Sequence, residues 1–256
     1  MILHGSHPVC LDDFNRELGA FGPNVVTEDA PELCGSNGPY VRADIGLSYI
    51  VESLVESGFA AVSIDVFSAY VWWGGEVEES SAIDGIIGVH HGILEQLNDG
   101  DDLGIGLSSQ VEGRLDLSAV SLVGHSRGGE ATIRQLQLDR NIPFEPASVA
   151  LVQPAVPFEP SERIDVPVLL IRGGCDEDVG PEAGLDFLET LTGDAVADMV
   201  IPGAGHRMLN TAFQGSTCDG ELDPTLAQAQ TAAAISSFLV SGGTRIDRLA
   251  ESESVI

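Results

Sequence analysis

Residues 119–130 read Ala-Val-Ser-Leu-Val-Gly-His-Ser-Arg-Gly-Gly-Glu, and no other run limits the fold as tightly. An apolar, β-type stretch stops abruptly at Gly124-His125-Ser126-Arg127-Gly128, and a helical pattern follows. This is the G-x-S-x-G nucleophile elbow in the strand–turn–helix setting it requires. A serine on so tight a turn takes a strained backbone conformation, and side chains two positions to either side would collide. Gly124 and Gly128 remove those side chains. Ser126 is thereby expected above the C-terminal edge of a parallel sheet, at the N-terminus of a helix whose dipole favours negative charge.

The rest of the chain has the pattern such a sheet needs. Ile2-Leu3 reads as a strand end running into His4-Gly5. Residues 8–44 are rich in Pro, Gly, Asn and acid, with little periodicity, and read as a long loop. Leu47, Ile50, Val51, Leu54 and Val55 fall on one helical face closed by Gly58. A buried strand is predicted over 60–67, and a helix is marked by Ile83, Ile86, Ile87, His90, Leu94 and Leu97. Strands are then expected over 119–125, 147–153, 167–172 and 197–201, with helices over 127–138, 181–192 and 224–240. Asp223-Pro224 is a cap followed by a first-turn proline. Strands alternating with helices, and strands apolar almost throughout, mean an α/β fold whose mainly parallel sheet is covered on both faces.

A hydroxyl is a poor nucleophile near neutral pH. It needs a base within hydrogen-bond reach, and the base needs orienting. In elbow folds the chain order is Ser, acid, His, each on a loop after a strand. The loop after 167–172 reads Gly173-Gly174-Cys175-Asp176-Glu177-Asp178, and the loop after 197–201 reads Pro202-Gly203-Ala204-Gly205-His206. Asp176 is the expected acid and Asp178 the alternative; otherwise either is a helix-capping carboxylate. His206 is the expected base, against a plain surface-loop histidine. An oxyanion needs backbone N–H donors, and those of Arg127 and of Ser6, with His7 nearby, are the candidates. The Arg127 side chain either lines the site or pairs with Glu130, itself a first-turn carboxylate favoured by the dipole. Tyr70, Trp72 and Trp73 either wall an apolar substrate pocket or pack under a long loop. His90 reads as a packing histidine rather than a ligand, and His125 is expected to pack beneath the elbow. No His/Asp/Glu grouping has metal-ligand spacing, and residues 98–102 read as a solvated acidic loop rather than a calcium site.

Composition narrows the partners. The 256 residues are 43% hydrophobic, enough for one full core, and no run of apolar residues is long enough to span a membrane. Forty acidic residues face 11 basic ones, every one an arginine, for a net charge of −29. Such a surface repels nucleic acid and anionic membranes. It suits either an acidic chain from a GC-rich genome or a chain adapted to high salt, where self-repulsion is screened within about 3 Å. Cys10, Cys34, Cys175 and Cys218 lack the C-x-x-C spacing of a zinc ribbon. They are either free thiols or two disulfides in one of three connectivities, among them Cys10–Cys34 with Cys175–Cys218.

Together the elbow, the acid loop and the histidine loop resemble the α/β-hydrolase superfamily over essentially residues 1–240. Gly124-His125-Ser126-Arg127-Gly128-Gly129 resembles the lipase-type motif of chlorophyllases. The His4-Gly5 start and the Gly203-Ala204-Gly205-His206 loop are similar to those of cutinase-like and polyester-hydrolase-like esterases. The resemblance implies an α/β-hydrolase fold in which Ser126 is nucleophile, Asp176 acid and His206 base, with no cofactor. That superfamily carries two or more strands ahead of its His-Gly strand, so leading strands, and any targeting segment, are expected to be missing from this sequence. A catalytic domain is expected over 1–241 and a polar tail over 242–256, with an extracellular location favoured. The implied activity is hydrolysis of a small-molecule or polymeric carboxylic ester. Thioester or amide cleavage on the same triad is the alternative. A non-catalytic binding protein on this scaffold is the rival from another class. Dehalogenase chemistry is disfavoured, because it would place Asp where Ser126 stands.

If the charge is an adaptation to salt, the melting temperature should rise between dilute buffer and about 2–3 M salt, where screening is nearly complete. An unchanged melting temperature would overturn that reading.

Overall fold

The computed structural model describes residues 1–5, 10–11, 25–29, 34, 38–66, 79–100, 114–137, 142–155, 165–188, 196–213, 218 and 220–243. Six strands form one parallel sheet: β1 (Ile2–Leu3), β4 (Ser63–Ile64), β5 (Val120–His125), β6 (Pro146–Val152), β7 (Val168–Gly173) and β8 (Val196–Ile201). Their spatial order is β4-β1-β5-β6-β7-β8. Five helices accompany them among the described residues: α1 (Ser48–Glu56), α2 (Glu79–Asn98), α3 (Arg127–Gln137), α4 (Leu185–Leu188) and α5 (Pro224–Val240). The α/β architecture read from the sequence is the one observed.

Strand periodicity divides the core into two halves. Ile2, Val123, Ala150, Val152, Leu169 and Ile171 point to one face, where α1 and α5 cover them with Ile50, Leu54, Ile235 and Phe238. Leu122, Val149, Leu151, Val168 and Leu170 point to the other, with Leu94 of α2 and Ile133 of α3. Leu3 faces the same side against Ile83, Ile86 and Ile87. Successive residues of each central strand thus enter opposite cores, which is why these strands carry no polar alternation. The cap expected at Asp223 is made: its carboxylate accepts from Leu226 N–H at 3.2 Å.

Four local expectations change. Val55 is 54% exposed, because at 100° per residue it lies about 80° round from Leu47, on the shoulder of the buried face. Of the predicted strand 60–67, the described residues form a strand over Ser63–Ile64 alone, at the sheet edge. The predicted helix 181–192 is helical only over Leu185–Leu188 within the described residues. Gly180 and Gly184 hold φ of 92° and 87°, which a right-handed helix cannot include. The long loop 8–44 contains a small antiparallel ladder of β2 (Thr27–Glu28) and β3 (Tyr40–Val41), with Cys10 bridged to Tyr40. Strands of two residues leave no alternation to read. Cys10–Cys34 and Cys175–Cys218 are both disulfides, with Cα atoms 5.6 Å apart in each.

Phe238 is fully buried at the centre of the α1/α5 half-core. Phe238→Ala should cost about 3–5 kcal/mol, read from the denaturant midpoint in high salt. A loss below about 1 kcal/mol would mean that α5 does not seal this face.

Candidate active site

Because the sheet is parallel, the loops leaving β1, β5, β7 and β8 emerge at one edge. Ser126 directly follows β5 and holds φ 56°, in the left-handed region that a residue with a Cβ seldom adopts. Its backbone is held from both sides. Its N–H donates to the Val152 carbonyl at 3.1 Å, and its carbonyl accepts from Gly129 N–H at 2.9 Å and Ala155 N–H at 3.0 Å. The elbow glycines are steric requirements. A Cβ at Gly124 would lie 2.6 Å from the Gly128 carbonyl carbon, and one at Gly128 would lie 2.7 Å from the His4 carbonyl oxygen.

The acid and histidine loops are stitched together by their backbones. Gly174 N–H donates to the Ile201 carbonyl and Cys175 N–H to the Ala204 carbonyl, both at 3.0 Å. The Cys175–Cys218 disulfide anchors the residue just before Asp176. The result is a buried pair: His206 Nδ1–H donates to Asp176 Oδ2 at 2.9 Å. Asp176 Oδ1 accepts from the N–H groups of Asp178 and Val179 at 3.1 and 3.0 Å. Asp178, the alternative acid, turns outward and pairs with Arg207 at 2.9 Å in an exposed bridge. With Nδ1 donating to the carboxylate, Nε2 of His206 is left as the acceptor, the state a general base requires.

His206 is placed against the elbow. The ring of His125, the residue before Ser126, lies 4.8 Å from the His206 ring between centroids. His125 Nε2–H donates to the His206 carbonyl at 3.2 Å. Burial, and then the proximity of His206, hold the His125 pKa well below the usual histidine value. Arg127 and Glu130 form an ion pair at 2.6 Å across the first turn of α3, so of the two readings of the Arg127 side chain the structure has the pair. His90 is fully buried on α2 and bonds Gln135 at 2.8 Å, as a packing histidine does. Ser6, His7, Tyr70, Trp72 and Trp73 lie outside the described residues. Among the described residues no group of three or more His, Cys, Asp or Glu is placed to hold a metal ion.

One cluster at this edge had only a faint mark in the sequence. His4, which precedes the Gly5 turn, accepts from Val66 N–H through Nε2 at 3.0 Å and donates from Nδ1 to the Gly5 carbonyl at 2.8 Å. Asp65 approaches Nε2 at 3.4 Å and takes the Tyr40 hydroxyl at 2.6 Å. Burial and the Asp65 carboxylate push the Tyr40 pKa far up, so it stays a donor. An acidic residue inside a predicted core strand, as Asp65 is, was the only signal available.

No protein-family model matches the sequence, and no curated protein does. Among solved structures, the chain is similar to the monoacylglycerol lipase of Paleococcus ferrophilus, with 14% identity and a TM-score of 0.51 over 94% of each chain. It is also similar to Est1E from Butyrivibrio proteoclasticus, with 15% identity and a TM-score of 0.47 over 94% of this chain and 86% of that one. SOBER1 of Arabidopsis thaliana gives 16% identity and a TM-score of 0.43 over 94% and 96%. At these identities the lipase likeness speaks for the fold, which is α/β-hydrolase-like.

Burial, the first cause, brings the His90 pKa down to about 3 and holds His125 well below its ordinary value. Unfolded, both titrate near about 6.5, so below that pH the unfolded chain binds protons that the folded one does not. Stability should therefore fall as pH drops from about 6.5, by about 1.4 kcal/mol per pH unit for each histidine still neutral in the fold. A His90→Gln variant should show a shallower acid slope in urea titrations. An identical slope would mean that His90 is protonated in the folded state.

Proposed function

We propose that this protein is a serine carboxylic-ester hydrolase in which Ser126 is the nucleophile, His206 the base and Asp176 the orienting acid. The observation that carries this reading is a conjunction at one sheet edge: a buried serine at φ 56° on a strand–helix elbow, and a buried Asp176–His206 pair on the next two strand-end loops but one. A serine in that backbone state exposes its hydroxyl to attack chemistry rather than to packing.

The reaction runs in two halves. His206 Nε2 takes the Ser126 proton as Oγ attacks the ester carbonyl, and the tetrahedral oxyanion forms. His206 then returns the proton to the departing alcohol, leaving an acyl-serine. Water repeats the attack with His206 again as base, and the carboxylic acid leaves. Asp176 stays ionised, keeps the Nδ1–H tautomer and stabilises the imidazolium. The backbone N–H groups of Arg127 and Ser6 are the proposed oxyanion donors, and the positive end of α3 adds to their field. The proposed substrates are small-molecule or polymeric esters.

Fluorophosphonate labelling in high salt, followed by mass spectrometry, should place one adduct on Ser126. Hydrolysis of a p-nitrophenyl ester should vanish with Ser126→Ala and drop about 10³–10⁴-fold in kcat with Asp176→Asn. Asp178→Asn, which touches only an exposed ion pair, should stay within about threefold. A folded chain that takes no label, or an Asp178→Asn as damaged as Asp176→Asn, overturns the assignment.

A further inference from the structure

The sheet ends in an edge whose outer row reads the same in both directions. β8 is the last strand of the order, with β7 on its inner side. Gly174 N–H donates to the Ile201 carbonyl, so Ile201 turns its backbone groups toward β7, and by strand alternation Met199 and Ala197 do the same. The N–H and C=O groups of Val196, Asp198 and Val200 therefore point away from β7. Among the described residues no strand pairs with that side. The side chains of the same three residues share one face of the strand, opposite Ala197 and Met199, which pack on the α1/α5 half-core. Val196 and Val200 are 41% and 43% exposed there.

Edge strands are commonly blunted by lysine, proline or an inward-pointing charge. The one charge on β8 is Asp198, and it is already balanced. Arg172 of β7 holds both Asp198 oxygens, at 2.9 and 2.7 Å, and its remaining nitrogen is fixed on the Pro181 carbonyl at 2.8 Å. Copies of a chain with net charge −29 repel one another, so contact is least opposed where charge is locally balanced. A two-fold contact also needs a surface that complements itself. The row Val196-Asp198-Val200 meets that demand. Run antiparallel about Asp198, it sets Val196 against Val200 on either side of a central Asp198 pair. Outward-facing residues then meet outward-facing residues, the arrangement in which each pair exchanges two backbone bonds. The opposed Asp198 carboxylates arrive with their guanidinium partners, which offsets the like-charge penalty. We propose that the outer edge of β8 docks on the same edge of a second copy of this chain, antiparallel about a two-fold axis at Asp198, joining the two sheets into one. This pairing stands whether or not Ser126 is the nucleophile.

Sedimentation of the full chain in high salt should show a concentration-dependent dimer, and a chain still monomeric at about 1 mM would overturn the proposal. Amide hydrogen exchange at Val196, Asp198 and Val200 should slow as the chain concentration rises. Protection that does not change with concentration would mean that another segment of the same chain covers the edge, and would overturn it too. Val200→Pro removes a donor aimed away from β7 and should raise the dimer Kd at least about tenfold, with the melting temperature of the dilute wild type retained. A dimer of undiminished affinity in that variant would place the interface elsewhere. The register has its own readout. Residues opposed in a hydrogen-bonded antiparallel pair lie about 5.5 Å apart at Cα, within disulfide reach. Val196→Cys chains mixed with Val200→Cys chains should therefore cross-link to each other under glutathione disulfide, while neither variant cross-links to itself. The native cysteines are already paired and stay silent. Self-cross-linking of either variant as readily as the mixture would overturn the axis at Asp198. If Val200→Pro does not fold, exchange in the wild type and the mixed cross-link decide.

Discussion

The elbow packs against β1 backbone to backbone, at a distance that leaves no room for a single Cβ. Gly128 meets the carbonyls of Leu3 and His4, and Gly124 meets the Gly128 peptide. This contact seats α3 on the sheet, keeps β1 between β4 and β5, and turns Ser126 into its left-handed state. A methyl group at either glycine would have to push α3 off the sheet. Close packing of this kind tolerates little relaxation, so a small displacement here would move everything that depends on the elbow.

Parallel strands then do the rest of the assembly. Each strand leaves its chemistry at the same edge, and side chains distant in sequence become neighbours without long connecting structure. The Asp176–His206 pair is 30 residues apart in the chain and 2.9 Å apart in space. The acid loop owes its shape to backbone bonds with the histidine loop, to the N–H groups that Asp176 itself accepts, and to the disulfide at Cys175. The histidine loop is pinned in turn. Asn210 donates to the Ala43 carbonyl at 2.8 Å, and the Tyr49 hydroxyl donates to the Leu209 carbonyl at 2.8 Å. Burial keeps the His125 ring neutral beside His206, so no second positive charge lies against the proposed base.

Among the described residues, arginines hold carboxylates in fixed pairs. Arg42 bridges Asp44 and Glu28, Arg127 holds Glu130, Arg172 holds Asp198 and Arg207 holds Asp178. In a chain of net charge −29, carboxylates left unpaired near one another repel. Bidentate guanidinium contacts, such as Arg42 with Asp44 and Arg172 with Asp198, give fixed geometry as well as neutralisation. The His4, Asp65 and Tyr40 cluster adds a local polar frame around the turn after β1.

The sequence by itself determined the two-faced parallel sheet and the elbow, because both are written in local patterns. Apolar runs at strand length, helical spacing at Ile83–Leu97 and paired glycines around Ser126 each need only neighbouring residues to be read. It narrowed the proposed acid to Asp176 or Asp178 and could go no further, since both carboxylates stand on one short loop. Tertiary structure separated them by turning Asp176 inward to His206 and Asp178 outward to Arg207. The pairing of the cysteines, the small ladder inside 8–44 and the start of α4 at Leu185 were likewise decided by contacts between distant segments or by backbone angles at glycine. Gln153 is the clearest case. In sequence it is one polar residue at a strand end, and only the convergence of β6, β7 and the loop after β8 places its amide beside Gly173 and Ala204.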